Sequence, residues 1–451
     1  MDTPLIDMLY EYRARQRERW HTPGHKGIKP PHGNFLDWSF DVTEISPMHE
    51  TPNPLERSER LMAEAFGVER TWYSVQGATL GVMAAILAAN PPGSTLWIDR
   101  SMHRSVLGAL MIGGYHVRWL WPSVLPAGLS LPLDQFPETL KPASGLVLAR
   151  PTYDGLAGSI ERVVARAHQQ GLTVVVDEAH GSHWPVGGGF PTSALHQGAD
   201  LVVHGVHKSE AALTQTGLLH LQGTRVDEGA VDQWMSLLST SSPSFLLLAS
   251  LDRLQWERRQ PGRDPIWHAF SARMQELWNT LEKRGVGVLQ AWAHRSGWQV
   301  DPARLTVLGP GREIENRVKL IGELEKISPG SATFFLAPGQ DLENLTRALI
   351  DTPWPEDRGA WEPLPWPRLE AFMSVRETWG RARRWIPLEE SVDHVLAAAV
   401  TPYPPGVPVG VPGEIVSVET RDWIREWQRR GGGHVEGLRQ EDGQSWLLVV
   451  A

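Results

Sequence analysis

The chain has 451 residues, 21% of them charged and 41% hydrophobic, with a formal net charge of -9. That length accommodates two or three domains around a large core, and the acidic balance excludes a general surface field for nucleic acid or anionic lipid, so any anion site must be local. Cysteine is absent, which removes disulfides, thiolate zinc sites and cysteine nucleophiles.

The opening stretch "MDTPLIDMLYEYRARQRERW" is amphipathic and charged, with no apolar core ahead of small residues. It reads as part of an N-terminal arm over residues 1–54 and not as a secretory leader. The longest apolar run, "LGVMAAILAA", is too short to span a bilayer. The expectation is a cytoplasmic protein with neither membrane nor nucleic-acid partners.

From residue 55 strands and helices alternate. "PLERSERLMAEAFGV" is an amphipathic helix, "TWYSV" a strand, and "GATLGVMAAILAAN" a helix opening on glycine. Strand "TLWID", helix "SVLGALMIGG" and strand "HVRWLW" follow, then strand "GLVLAR", helix "IERVVARAHQQ", and strands "TVVVDEA" and "LVVHGV". This spacing predicts an α/β fold with a mostly parallel sheet covered on both faces and ligands at the carboxyl ends of its strands. Beyond about residue 265, proline-rich stretches such as "DTPWPEDRGAWEPLPWPRLE" break the pattern. A second, α+β domain over 265–451 is expected there. The 21 tryptophans of the chain have no explanation in the sequence.

Four candidate sites fall at predicted strand ends. In "SVQGATLG", Gly77, Ala78 and Thr79 open a helix, whose free N–H groups and dipole favour an anion. His103 follows "TLWID" and can stack on an aromatic ligand. Asp177 ends a run of three valines, where a carboxylate is costly without a cation or donor. Lys208, in "HGVHKS", follows a buried strand; desolvated and flanked by imidazole, its amine becomes a nucleophile toward an aldehyde. Pyridoxal phosphate needs this set: a lysine for its aldehyde, a carboxylate for its ring nitrogen, a phosphate cup and a stacking ring.

Two other readings fail. "VDEAH" spells a helicase box, but no phosphate loop of the form G-x-x-x-x-G-K-[ST] precedes it. His180, His183, His204 and His207, like His21 and His25, are close in sequence, yet no zinc spacing is present and Lys208 inside the cluster opposes a metal ion. No metal is expected.

The motifs "HTPGHKG", "PTYDG", "VDEAHGSH", "HKSEAALTQTGLLH", "STSSPSFLLLASLD" (Ser239 to Asp252) and "PYPPGVPVGVPGE" (Pro402 to Glu414) occur in this order along the chain. Together they resemble the prokaryotic ornithine/lysine/arginine decarboxylases. The resemblance implies a pyridoxal-phosphate transferase fold of type I: a cofactor-binding large domain (55–264) around a mostly parallel seven-stranded sheet, and the smaller C-terminal domain. It implies that Lys208 bonds to the cofactor, Asp177 holds its ring nitrogen, and His103 and Ala179 pack on the two ring faces. Gly77, Ala78, Thr79 and His207 would hold the phosphate, with His180 also at the cofactor. Ser241 and Ser242 match a loop that reaches a neighbouring subunit, implying a homodimer with shared sites. Glu44 and Glu414 are the acids that would read a substrate's distal cation. Catalysis is expected of Lys208, His207, Asp177 and His103. The chain looks like the short form of the family.

There are departures from the family pattern. Gly205 stands where a phosphate-binding hydroxyl is usual, and Ala78 replaces another. Losing both hydrogen bonds would cost roughly 2 to 4 kcal/mol, leaving either weaker cofactor binding or replacement by water and His204. The expected reaction is decarboxylation of arginine, lysine or ornithine in polyamine synthesis, with arginine favoured by the chain's size. The rivals are transamination on the same fold, for which no arginine motif speaks, and a non-catalytic binding protein.

Overall fold

The computed structural model describes residues 2–15, 23, 38–42, 48, 51–125, 129–351, 354, 364, 366–403, 406–430 and 433–451. The apolar runs bounded by turns form a seven-stranded sheet. Its strands are β1 (Arg70–Ser74), β2 (Thr95–Asp99), β3 (His116–Leu120), β4 (Gly145–Ala149), β5 (Thr173–Asp177), β6 (Leu201–His204) and β7 (Gly217–Leu221). The spatial order is β1-β7-β6-β5-β4-β2-β3. β7 runs antiparallel to both β1 and β6, and the other pairs are parallel. Ala149 lies opposite Asp177, and Asp177 opposite Val203, so the carboxyl ends of β4, β5 and β6 share one edge.

Side chains alternate across the sheet. Val174 and Val176 enter one hydrophobic cluster and Val175 the other. The helices covering these faces are α1 (Pro4–Ala14), α2 (Pro54–Phe66), α3 (Gly77–Ala89), α4 (Ser105–Gly113), α5 (Glu161–Gln169), α6 (Glu228–Leu238) and α7 (Phe245–Arg258). Local signals fix α2 at both ends: Asn53 and Glu56 form a capping box, and Gly67 stops the helix at φ 69. α1 is tied to α7 by Asp252, whose carboxylate accepts the Leu5 and Ile6 N–H groups and the Ser58 hydroxyl. No helix among the described residues is long and apolar enough to cross a membrane.

β5 and β6 end two residues earlier than their apolar runs suggest. Gly205 donates to the Ala179 carbonyl at 3.1 Å, which turns the chain, and Val206–Lys208 form a single 3₁₀ turn. β7 and α6 escape the sequence pattern, since "GLLHL" directly follows the lysine motif and carries a histidine at a fully buried position.

After residue 264 the described chain packs around two hydrophobic clusters, where a single α+β unit was expected. The first joins α8 (Arg263–Lys283), α9 (Leu289–Arg295), α10 (Gly311–Val318) and α11 (Leu342–Ile350) to an antiparallel sheet. Its strands β8 (Gly287–Val288), β9 (Arg304–Leu308), β10 (Lys326–Ser328) and β11 (Ser331–Phe335) stand in the order β8-β9-β11-β10. The second surrounds α12 (Val418–Arg429) and a three-stranded sheet of Arg383–Pro387, Leu438–Glu441 and Gln444–Val450. Tryptophans build both: Trp267 and Trp278 fill the first, and Trp366, Trp423 and Trp427 stack in the second at centroid distances of 5.4 and 5.2 Å.

Candidate active site

A cleft of about 650 Å³ opens at the carboxyl edge of the large sheet. Gly77, Ala78, Thr79, His103, Asp177, Ala179, His180, His207 and Lys208 all line it. α3 starts at Gly77 with φ 72, and the Gly77 N–H donates to the Gln215 carbonyl at 2.8 Å. The following N–H groups have no intrahelical acceptor. Gly217 at the head of β7 makes this close approach possible: a Cβ there would lie 2.8 Å from the Ala78 nitrogen.

Lys208 stands at the end of the turn after β6, its amine 3.0 Å from Nε2 of His180. Burial pushes its pKa down; Asp177 opposes that shift, Arg304 adds to it and Glu325 opposes it again. Burial, followed by Lys208 and Arg304, holds His180 well below the usual histidine range. Nη2 of Arg304 lies 3.5 Å from Nδ1 of His180 and 3.4 Å from its carbonyl, with the guanidinium 3.6 Å over the Phe335 ring. A guanidinium only donates. Facing it, Nδ1 of a neutral His180 is the acceptor and Nε2 carries the proton toward Lys208, which suits an unprotonated amine.

The other two histidines are oriented as well. Nδ1 of His103 accepts the Ser105 N–H at 3.2 Å, and burial lowers its pKa against the pull of Asp177. Nδ1 of His207 lies 2.7 Å from the Thr216 carbonyl, so it bears the proton and Nε2 is left to the cleft side chemistry. Oδ1 of Asp177 accepts the Ala179 N–H at 3.1 Å.

Several expected residues sit elsewhere. Ser241 and Ser242 are exposed on the loop between α6 and α7 and do not line the cleft. That loop is tied to the start of α3, since the Thr240 N–H donates to the Gln76 side chain at 2.8 Å. Glu44 lies outside the described residues. Glu414 requires correction as an acid open to substrate. It is 1% exposed, and its oxygens accept both terminal nitrogens of Arg100, at 3.1 and 2.9 Å, and the Val411 N–H at 2.8 Å. His204 cannot stand in for a phosphate hydroxyl. It is fully buried, with Nε2 on Glu178 at 3.0 Å and Nδ1 on His220 at 3.1 Å. A side chain at Gly205 would meet the Ala179 carbonyl at 3.0 Å, a physical reason for glycine there.

The sequence reading missed Glu325 and Phe335 among the residues lining the cleft, while Tyr403 lies in the quoted "PYPPGVPVGVPGE". Tyr153 and Asp154 also line it, and the quoted "PTYDG" was a signal for them.

This fold and its cleft define a pyridoxal-phosphate enzyme of fold type I. The constitutive lysine decarboxylase of Escherichia coli superposes with a TM-score of 0.82 at 20% identity, over 100% of this chain and 82% of that one. The serine palmitoyltransferase of Sphingomonas wittichii gives 0.51 at 15% identity, over 69% of this chain and 79% of that one. The family pattern "Orn/Lys/Arg decarboxylase, major domain" matches residues 3–307, and its C-terminal domain pattern matches residues 358–430. An arginine decarboxylase of Bacillus subtilis (strain 168) is 31% identical, covering 94% of this chain and 93% of its own length. The constitutive lysine decarboxylase of Escherichia coli K12 is 24% identical over 93% of this chain and 76% of its own. The chain belongs to the Orn/Lys/Arg decarboxylase family, pyridoxal-phosphate lyases that decarboxylate amino acids.

Proposed function

We propose that the protein decarboxylates a basic amino acid, arginine before lysine or ornithine, to the amine and carbon dioxide. The observation that carries this reading is the meeting of Lys208, Asp177, His103 and the start of α3 in one cleft. Similarity to curated arginine decarboxylases over nearly the whole chain favours arginine.

The described residues fit pyridoxal phosphate. Gly77, Ala78 and Thr79 offer a helix start to its phosphate, and Gly217 leaves the space a side chain would fill. His207, its Nδ1 held by the Thr216 carbonyl, would turn Nε2 toward the same phosphate. His103 and the nearly buried Ala179 would flank the ring, with Asp177 at its nitrogen and Lys208 at its aldehyde. When bound, the cofactor supplies an electron sink for the pair left behind as carbon dioxide departs. Asp177 keeps a proton on the nitrogen it faces, which deepens that sink. Lys208, a weakened base beside His180, is the group that moves a proton at the substrate Cα.

A homodimer is part of this proposal, since the exposed Ser241 and Ser242 loop is fixed next to the α3 start and is free to reach a neighbour. So are a cytoplasmic location and a role in polyamine synthesis. Carbon dioxide release is the decisive assay, run on cofactor-saturated protein with arginine, lysine and ornithine offered separately. Release from one of them, abolished in Lys208→Ala, is expected; no release from any would end the assignment. Sedimentation showing only monomer at working concentrations would remove the dimer.

A further inference from the structure

We infer that Glu210 is a positioning residue for Lys208: with Arg258 and Arg263 it fixes the turn that aims the lysine amine at the cofactor aldehyde. Two turns leave the sheet side by side, one after β5 and one after β6, and contacts join them along their length. The Gly205 N–H donates to the Ala179 carbonyl, the Lys208 amine meets His180, and the Ser209 and Ser182 hydroxyls share a hydrogen bond of 2.9 Å. Glu210 closes the series.

Its Oε1 accepts Nη1 of Arg258 and Nη2 of Arg263, both at 2.6 Å. The same Nη1 of Arg258 reaches the Ser182 carbonyl at 3.3 Å, so one guanidinium staples the lysine turn to the His180 turn. The side chains of Glu210 and Arg258 are each 2% exposed. Burial pushes the Glu210 carboxyl up, but Arg258 and Arg263 outweigh it and hold its pKa at about 2. The clamp is therefore ionised across the neutral range.

The place of the clamp in the chain gives it its effect. Arg258 ends α7 and Arg263 starts α8, where the chain passes from the core entered by Leu254 to the core entered by Trp267. Beyond Glu210 the packing thins: Ala211, Leu213, Thr214 and Gln215 are exposed. Glu210 is the buried side chain that stands between Lys208 and that loop. Without it the lysine would open an exposed segment, and a shift of about 1 Å in a reacting group can cost on the order of 100-fold. The inference depends on the cofactor and not on which amino acid is the substrate.

Pyridoxal phosphate and pyridoxamine phosphate separate this role from a structural one. Both offer the same ring and phosphate, but only the first has an aldehyde, whose oxygen leaves as water when the Lys208 amine bonds to its carbon. Each is titrated into cofactor-free, full-length parent and Glu210→Gln proteins, and binding is read by absorbance. The expected result is about 10- to 100-fold weaker binding of pyridoxal phosphate in the variant, with pyridoxamine phosphate bound as before. Glu210→Gln leaves two arginines without their counter-ion, so Arg263→Gln is measured beside it as a variant that keeps the Glu210–Arg258 pair. The same selective loss, of smaller size, is expected there, and this variant decides alone if Glu210→Gln does not fold. Equal losses for both ligands, or no loss for either, would overturn the inference.

Discussion

Lys208 shares its surroundings with a second cation. Arg304 is 1% exposed, its nearest carboxylate among the described residues is Asp301 at 4.0 Å, and its field falls on both His180 and Lys208. Asp177 and Glu325 face the amine with the opposite sign, and His103 and His207 face His180. Replacing Arg304 by Met removes one of the influences that weaken the amine as a base. The expected outcome is an upward shift in the pH midpoint at which Lys208 of the cofactor-free protein reacts with trinitrobenzenesulfonate. An unchanged midpoint would show that burial alone sets this lysine. The sequence pointed to Lys208, Asp177 and His103 because each lies at or just after the end of a predicted strand. It concealed Arg304, Glu325 and Phe335, which come from a different sheet and carry no local pattern. Glu414 misled for a related reason: its partner Arg100 is 314 positions away.

At the level of elements, a polar seam crosses the large sheet. Glu178 after β5 joins His204 on β6, His204 joins His220 on β7, and His220 joins Thr71 on β1 at 2.9 Å. Arg150 pairs with the other end of Glu178 at 2.8 Å. Burial, then His204, keeps the His220 pKa far below 6.5. The unfolded chain therefore takes up this proton first. Stability from His220 is fully present above about pH 6.5 and declines as pH falls below it. His220→Leu should flatten the dependence of the melting temperature on pH between about 5 and 7. It should also cost about 1 to 3 kcal/mol at neutral pH, because His204 and Thr71 lose a partner. A pH dependence as steep as that of the parent would refute the assignment. Gly217→Ala tests the contact between β7 and α3. The new methyl would press on the Ala78 nitrogen, so pyridoxal phosphate affinity should fall, with a cost of about 1 to 3 kcal/mol. Titration of cofactor absorbance measures it, and unaltered affinity would show that the turn yields. The parallel strands and their helices were evident from periodicity and turn residues, but β7 was not, because its place is set by pairing with strands distant in sequence.

Across the whole molecule, the end of β2 is joined to the C-terminal unit by a buried ion pair. Arg100, 1% exposed, lies over the rings of Trp119 and Trp121 at 4.5 and 5.0 Å and is closed off by Glu414. Removing one partner strands a charge in the interior. Glu414→Ala should destabilise the protein by about 3 to 5 kcal/mol, and adding Arg100→Met should recover a large part of that loss. Chemical denaturation of the parent, single and double variants checks this, and additive losses would mean that the two groups act independently. The sequence leads to the expectation of a smaller C-terminal unit, whereas the two hydrophobic clusters found there depend on which tryptophans stack, a fact of three dimensions only.

The same ion pair has a consequence in time. At translation rates of about 5 to 20 residues per second, the ribosome reaches Glu414 roughly 15 to 60 s after Arg100. Until Glu414 is made, the Arg100 guanidinium lacks the counter-ion it has in the folded protein, so this part of the core closes only after Glu414 has been synthesised.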